Sequence, residues 1–218
     1  YFSLGLVALG TLAFGLLEWN GSMDGMSTFG KLTTAVFQSV TRTSGFNTVD
    51  IGSVGLPMLF LLLVLMFIGA SSSSTGGGIK TSTLAIVMAD VWRTVRGSDH
   101  VQIFQRTISV VLRSRAYSVL LFFLVGNAVG MFALTLTEEP LLAGGDWDFF
   151  DLAFEHVSAM GTVGLSTGLT PLLSPGGKLI LAAAMFVGRV GTLTVAFAVG
   201  SKTIQTHFKY PEGHTMVG

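Results

Sequence analysis

Cysteine is absent from this chain of 218 residues, and charged residues make up only 11% of it. Without cysteine, neither a disulfide framework nor a cysteine-ligated metal site can form. So few charges beside 50% hydrophobic residues exclude an ordinary soluble domain and are typical of an integral membrane protein. The chain begins at Tyr1 without a methionine and shows no signal peptide, so we expect a piece of a longer protein.

The few charges are segregated by sign. Residues 90–115 contain five arginines and two aspartates, whereas residues 138–155 contain six acidic residues and no lysine or arginine. The positive-inside rule places the arginine-rich segment in the cytoplasm, together with the C-terminal tail that carries Lys202 and Lys209. The acidic segment then lies outside, where it either attracts cations to an entrance or is an ordinary exoplasmic loop.

Long apolar runs predict membrane-spanning helices, each of which needs about 20 residues. Residues 1–19 and 116–136 meet this length, and residues 177–200 do so with Arg189 near their middle. The run 56–69 is too short alone, and after an interruption at 70–80 it continues into residues 81–92.

Two further apolar runs, 29–41 and 149–160, are too short to span a bilayer. About 12 residues form about 18 Å of helix. Both runs lie on the side assigned as outside, so we predict two re-entrant half-helices that enter the membrane and stop. Irregular backbone at that depth is tolerated only where it lines a watery cavity or is buried in protein.

One short pattern follows each half-helix. It reads Thr43-Ser44-Gly45-Phe46-Asn47-Thr48 in the first copy and Thr162-Val163-Gly164-Leu165-Ser166-Thr167 in the second, 119 residues later. The same spacing pairs the flanking residues Ser39 with Ser158, Met66 with Met185, Phe67 with Phe186 and Gly69 with Gly188. The chain is therefore predicted to contain two copies of helix, half-helix, strip and helix.

A strip of this kind after a short helix is how potassium channels build rings of backbone carbonyls. Gly45 and Gly164 can adopt positive φ without strain. Thr43 and Thr162 add hydroxyls at the inner end of each strip. The half-helices point the negative C-terminal ends of their dipoles at the ion. The alternative is a glycine-containing turn between two helices, which two copies with shared flanks disfavour.

The interruption at 70–80 carries four serines, one threonine and three glycines where a helix is expected to continue. Serine and glycine both disfavour helix, so we predict a break. It is not a phosphate-binding loop, because Ile79 separates Gly78 from Lys80 and no parallel sheet surrounds it. The break is either a passive interruption or a functional loop below the strip.

Charged and titratable residues within the apolar runs are the remaining candidates. Arg189 is costly in mid-membrane and lies 119 residues after Ala70, so we expect it at the depth of the break, bonded to loop carbonyls or hydroxyls. Its role is either a barrier to cations or purely structural. His156, inside the second half-helix, is interpreted as packed rather than catalytic, and Asn47 and Asp50 as lining an outer mouth.

These motifs resemble the third and fourth repeats of Ktr/Trk-family potassium-uptake subunits, and the resemblance covers nearly the whole chain. The matching motifs are Thr41-Arg42-Thr43-Ser44-Gly45-Phe46-Asn47-Thr48, Ser74-Thr75-Gly76-Gly77-Gly78-Ile79-Lys80-Thr81, Gly161-Thr162-Val163-Gly164-Leu165-Ser166-Thr167-Gly168, Gly188-Arg189-Val190-Gly191 and Tyr210-Pro211-Glu212. The implied fold is an all-α integral membrane protein that supplies half of a pseudo-four-fold pore. Residues 1–97 and 112–200 are then the two repeats, 98–111 a cytoplasmic linker and 201–218 a cytoplasmic tail.

The resemblance implies potassium uptake across the cell (inner) membrane by a multi-pass subunit that is not an enzyme. The filter would comprise Thr43, Ser44, Gly45, Phe46, Thr162, Val163, Gly164 and Leu165, its mouth Asn47 and Ser166, and the gate Ser71, Ser72, Ser73, Ser74, Thr75, Gly76, Gly77, Gly78, Lys80 and Arg189. Implied partners are a second copy and a cytosolic regulatory ring of the KtrA/TrkA type that binds ATP or ADP. The chain itself would bind no cofactor and no nucleic acid.

Three alternatives stay open at this point. One is sodium permeation, because each strip has one glycine where potassium channels have two. A tandem-pore potassium channel is disfavoured by the 70–80 break and by Arg189. An intramembrane hydrolase, suggested by the serines, lacks a Gly-x-Ser-Gly element and has only His156 as a membrane-embedded base.

Overall fold

A computed structural model describes residues 2–71, 74, 76–97, 102–103 and 106–201 of the chain. Of residues 102, 103, 106 and 191–201 it describes only the backbone. The predicted gate residues Ser72, Ser73 and Thr75, and the tail 202–218, lie outside the described residues. The described part is mostly helical.

The first repeat has the predicted order of elements. Its helices are α1 (Phe2–Leu17), α2 (Thr28–Thr41), α3 (Leu56–Phe67) and α4 (Thr81–Arg96), with a 3₁₀ turn at Ile51–Ser53. The helix predicted to be interrupted does stop between α3 and α4, although it ends two residues earlier than the sequence indicated. Helix α2 begins at its cap, where Ser27 Oγ accepts a hydrogen bond of 3.1 Å from the Gly30 amide.

The second repeat has the same order with an unbroken last helix. Its helices are α5 (Val110–Thr137), α6 (Glu139–Ala143), α7 (Phe149–Met160) and α8 (Pro175–Ser201), with a 3₁₀ turn at Thr170–Leu172. Helix α7 has the bounds that the sequence predicted, and a capping box of Asp148 and Asp151 starts it. The short helix α6 within the acidic segment was not predicted.

The linker between the repeats adds a small hairpin to the otherwise helical described structure. Strands β1 (Gln102–Ile103) and β2 (Arg106–Thr107) form a small antiparallel hairpin with Ile103 opposite Arg106. Helix α4 ends before this hairpin because Gly97 adopts φ +64°, the left-handed conformation that closes many helices. Two residues per strand give too weak an alternating pattern to be read from the sequence.

By length and composition, α5 (Val110–Thr137) is the one helix among the described residues that is long and apolar enough to cross a membrane. Helices α1 and α3 are apolar but shorter. Large apolar side chains along α1 and α5 are exposed, among them Leu16 and Phe132. Exposed apolar stripes of this kind are expected where lipid or another membrane segment covers the protein.

The two half-helices are packed very differently. Helix α2 lies mainly against α1, whereas α7 is surrounded by α8, α5 and α3. Every residue of α7 from Phe154 to Met160 is buried. The repeats therefore meet around α7, and the strip that follows α7 is set in the interior of the described structure.

Candidate functional site

The two strips touch each other at their glycines. Gly45 and Gly164 adopt φ of +74° and +95°, in the left-handed region that glycine reaches without strain. A Cβ on Gly45 would lie 3.0 Å from Gly164 Cα and would overlap the Val163 carbonyl oxygen. A Cβ on Gly164 would clear Gly45 Cα at 3.8 Å. The two glycines, 119 residues apart, therefore lie in contact. Both positions favour glycine because of their positive φ, and Gly45 also does so because a side chain there would overlap the second strip.

The second strip is held by its own half-helix through Ser158. Ser158 Oγ donates to the Leu165 carbonyl oxygen at 2.6 Å and accepts from the Gly164 amide at 3.1 Å. The side chains of Val163 and Leu165 are buried. Thr162 adopts φ +52°, which for a β-branched residue costs about 1–3 kcal/mol. Packing and hydrogen bonds on both sides hold this strained residue in place.

A buried carboxylate, missed at the sequence level, fixes the outer end of the second strip. Glu155 of α7 is 4% exposed. Its Oε1 accepts from Ser166 Oγ at 2.5 Å and from the Thr167 amide at 3.0 Å, and its Oε2 accepts from Thr170 Oγ1. Ser166, predicted to line the mouth, is thus bonded to Glu155. An acidic residue inside a short apolar helix was the signal, because ionisable residues in membrane segments are costly and are commonly functional.

The first strip is held in another way. Ser39, the counterpart of Ser158, donates to the Val7 carbonyl of α1 at 2.6 Å rather than to its own strip. Asn47 Nδ2 donates to the Val49 carbonyl at 3.0 Å, which closes a turn beyond the strip. Phe46 is 68% exposed. Val36 stands at the position equivalent to Glu155, so this strip has no matching carboxylate.

Arg42, at the end of α2, anchors the broken inner helix, and the sequence reasoning had assigned it no role. Its guanidinium is 4% exposed and donates from Nη1 to the Leu65 carbonyl at 2.7 Å and the Ile68 carbonyl at 2.9 Å. The last carbonyls of a helix have no partner within the helix, and a cation there also meets the negative end of the helix dipole. Arg42 therefore stabilises the C-terminus of α3 where the chain leaves the helix.

Beyond α3 the chain makes a loop that returns to its starting point. Ile68 and Ile79 form a parallel bridge, with the Gly69 amide donating to the Ile79 carbonyl at 2.9 Å. Gly78 adopts φ +72° at the return. The Gly77 amide donates to Thr162 Oγ1 at 2.6 Å. The loop of the first repeat thus contacts the inner end of the strip of the second repeat.

Among the residues that the structure describes, Lys80 bonds the loop carbonyls, and a bond from Arg189 to the loop stays a prediction because Ser72, Ser73 and Thr75 lie outside them. Lys80 Nζ donates to the Ser74 carbonyl at 2.9 Å and to the Gly76 carbonyl at 2.5 Å. Arg189 is exposed in a cavity of about 760 Å³ that the second strip and α8 also line. Thr162, which bonds the loop at Gly77, lines the same cavity. Ser71 is exposed, and its carbonyl accepts from the Ser74 amide at 2.8 Å.

Buried carboxylates also tie the outer helix to the inner helix in each repeat. Glu18 Oε1 accepts from the Gly55 amide at 2.9 Å at the start of α3. Glu138 accepts from the Ser174 amide at 3.2 Å and from Ser174 Oγ at 2.5 Å at the start of α8. Glu138 and Glu155 are both buried, so two of the six acidic residues at 138–155 serve structure rather than attract cations.

His156 is packed rather than exposed, as the sequence reasoning favoured. The side chain is 1% exposed, and its imidazole fills the space above Gly130 of α5, where even a Cβ would overlap it. Near the linker between the repeats, Asp90 of α4 accepts from Arg113 Nη1 at 2.8 Å and from Tyr117 Oη at 2.9 Å. This contact joins the last helix of the first repeat to the first helix of the second.

Comparison with known proteins gives a consistent family. The TrkH family, described as a cation transport protein, matches residues 3–205. The chain is 39% identical to Ktr system potassium uptake protein B of Bacillus subtilis (strain 168), over 99% of this chain and 47% of that protein. It is 37% identical to potassium/sodium uptake protein NtpJ of Enterococcus hirae, over 96% of this chain and 47% of that protein.

A solved structure has the same fold. The crystal structure of the potassium transporter TrkH from Vibrio parahaemolyticus superposes with a TM-score of 0.68 at 20% identity, over 93% of this chain and 43% of that one. The chain thus spans about half the length of each of these relatives.

Proposed function

The chain belongs to the TrkH family of cation transport proteins, and on that premise we propose that it supplies two of four repeats around the potassium pathway of a Ktr/Trk-type uptake system. As a family member it is a membrane protein, and in our proposal it crosses the cell membrane several times. The remaining two repeats come from the half of the relatives' length that this chain does not span.

One observation carries the proposal: two half-helices end at two glycine strips that touch at Gly45 and Gly164. A dehydrated cation needs several oxygen ligands at once, and paired strips of backbone carbonyls supply them. We assign the ion to the carbonyls of residues 43–46 and 162–165 and to the hydroxyls of Thr43 and Thr162. The Leu165 carbonyl accepts from Ser158 Oγ and therefore contributes least.

Sodium is the second candidate ion. Each strip has one glycine where a potassium-channel strip has two, and fewer ordered carbonyls discriminate less between the two ions. The name of the Enterococcus hirae relative, a potassium/sodium uptake protein, favours including sodium. In the proposed pathway potassium is the main substrate, and sodium enters to a degree set by how firmly the strips are held.

The loop at 70–80 is the proposed gate. Gly77 lies against Thr162 at the inner end of the second strip, and Lys80 bonds two carbonyls of the loop. Arg189, which lines the cavity beside the same strip, adds a second positive charge. Cations that leave the strip inward would meet this loop and this positive potential. In our proposal the conformation described here is the closed one, and the loop withdraws for transport.

Regulation completes the proposal. A cytosolic ring that binds ATP or ADP, with two copies of the complete subunit above it, would act through the inner ends of the helices. The contact of Asp90 with Arg113 supports this route, because it joins the helix after the gate to the next repeat. The ring itself would contact the cytoplasmic linker and tail.

Uptake into proteoliposomes that contain the full-length protein tests the proposal. We expect Gly45→Ser and Gly164→Ser to raise the potassium concentration for half-maximal uptake about tenfold, because a side chain at positive φ costs about 1–2 kcal/mol. Gly25→Ser is the matched control, since Gly25 has φ +78° with open space around it. Wild-type uptake in both strip variants would show that the strips are ordinary turns.

A further inference from the structure

Two groups compete for the hydroxyl oxygen of Thr162: the Gly77 amide and, in the proposed function, a cation. In the conformation described here Oγ1 accepts a hydrogen bond of 2.6 Å from the Gly77 amide. The same oxygen belongs to the inner end of the proposed ion-binding strip. An amide hydrogen and a cation both carry positive charge toward the oxygen they share, so each repels the other at close range.

The packing around Gly77 is too tight for the amide and a cation to share Thr162 Oγ1. A Cβ on Gly77 would lie 2.8 Å from both Thr162 Oγ1 and Thr162 Cγ2 and 3.1 Å from the Gly161 carbonyl oxygen. The loop backbone is therefore already in contact with the base of the strip. A cation with a ligand at Thr162 Oγ1 has to displace the amide rather than lie beside it.

The root of the loop is fixed, so displacement is confined to its tip. The bridge between Ile68 and Ile79 and the two bonds from Arg42 hold the root. The tip at Gly76–Gly77 is held to the strip by the bond of Gly77 to Thr162, and the Gly76 carbonyl also accepts from Lys80 Nζ. Gly78, at φ +72°, lies between tip and root.

We propose that a cation at the inner end of the second strip and the seated loop tip exclude each other, because both use Thr162 Oγ1. Ion occupancy of the strip then favours release of the gate, and a seated gate weakens ion binding. By linkage the two effects are equal in size. This inference rests on the proposed function and adds to it a direct coupling between filter and gate.

The coupling is specific to one repeat. Thr43 is the counterpart of Thr162 in the first strip, and within the described residues no loop amide donates to its hydroxyl. Thr43 also lacks the positive φ of Thr162. Removing the hydroxyl at position 43 should therefore weaken ion binding alone, whereas removing it at position 162 should also free the loop.

The experiment measures the exposure of the loop tip as a function of potassium. Ser74→Cys is introduced into a full-length protein in which every other cysteine has been replaced, since Ser74 Oγ accepts a hydrogen bond of 3.2 Å from the Gly76 amide of the seated tip. The protein is reconstituted into vesicles, and a membrane-impermeant thiol reagent is applied from the cytoplasmic side. The modification rate is measured without potassium and at saturating potassium.

In the protein that carries only Ser74→Cys, we expect potassium to raise the modification rate about two- to tenfold. This is the change in equilibrium that the loss of one hydrogen bond produces. Thr162→Val should raise the potassium-free rate to the saturated value and abolish the response, and Thr162→Ser should restore both. Thr43→Val should weaken the potassium response without raising the potassium-free rate. A low potassium-free rate in Thr162→Val, or a high one in Thr43→Val, overturns the coupling.

Gly77→Ala tests the coupling from the other side while Thr162 keeps its hydroxyl. We expect a high potassium-free rate and a lower half-saturating potassium concentration. Gly76→Ala should have a smaller effect, because its Cβ meets only Ala70 Cβ at 3.1 Å and Ser74 Oγ at 3.6 Å.

If the wild type transports neither potassium nor sodium, the proposed function fails. If it transports and Thr162→Val keeps a low potassium-free rate, only the coupling fails.

Discussion

The two strips have the same pattern and adjacent glycines, but the first is held by neighbouring helices and the second by its own half-helix. Ser39 bonds α1, and Arg42, beside the first strip, bonds α3. Ser158 and Glu155, both on α7, bond the strip that follows α7. Repetition of sequence therefore preserved the positive-φ glycine of each strip and changed what holds the strip.

A second difference lies in the placement of the arginines. The repeat with the broken inner helix has Arg42 at the end of its half-helix, and the equivalent residue in the other repeat is Gly161. The repeat with the continuous inner helix has Arg189, and its equivalent is Ala70 at the break. A buried arginine thus accompanies the break because exposed helix carbonyls need donors.

Arg42→Met should give the largest effect of the changes that probe this difference. Two carbonyls would lose a charged donor, each bond being worth about 1.5–3 kcal/mol. We expect the free energy of unfolding in detergent to fall by about 3 kcal/mol and uptake without the regulatory ring to increase. Arg42→Lys keeps the charge and should restore part of the stability and part of the dependence on the ring. If Arg42→Met keeps the thermal stability of the wild type, Arg42 does not anchor the end of α3.

Glu155→Val gives the second strip the residue that stands at the equivalent position of the first. The Ser166, Thr167 and Thr170 donors would lose their acceptor, at a cost of about 1–3 kcal/mol. We expect the half-saturating potassium concentration to rise about tenfold and the preference for potassium over sodium to fall. Val36→Ala on the exposed face of α2 is the control. Unchanged ion selectivity would show that the carboxylate does not hold the filter.

Ser158→Ala and Ser39→Ala separate the two ways of holding a strip. Each removes a buried hydrogen bond, so both should lose about 1 kcal/mol of stability. Only Ser158→Ala should raise the half-saturating potassium concentration, by about threefold, because Ser39 bonds α1 instead of a strip. Equal kinetic effects in uptake assays would contradict the distinction.

Glu18→Gln and Glu138→Gln test what the repeats share, and here the smallest effects are expected. Each removes a carboxylate at the start of an inner helix, an interaction worth about 0.3–1 kcal/mol. Thermal denaturation should show similar small losses for both, with potassium affinity unchanged. A large loss in only one variant would mean that the two carboxylates are not equivalent.

The sequence predicted the half-helices, the break and the repeat because each depends on local composition. An apolar run of limited length, a cluster of glycine and serine, and a fixed spacing are all visible without contacts. The residues that hold the strips were harder to find. Glu155 was counted as part of an acidic segment, and Arg42 was recognised only as part of a motif. The contribution of a buried charge to stability depends on the groups that it bonds, which the sequence alone does not show.

By itself the sequence determined the order of helix, half-helix, strip and helix, since hydrophobic length and glycine content set these elements directly. It also identified the family through motifs spread over nearly the whole chain. Only the tertiary structure decided that Lys80 bonds the loop, that Gly77 contacts Thr162, and that Glu155 and Arg42 hold opposite ends of the site. Most of these contacts join residues far apart in the sequence, 85 positions for Gly77 and Thr162, so their geometry is set by how the helices pack rather than by local pattern.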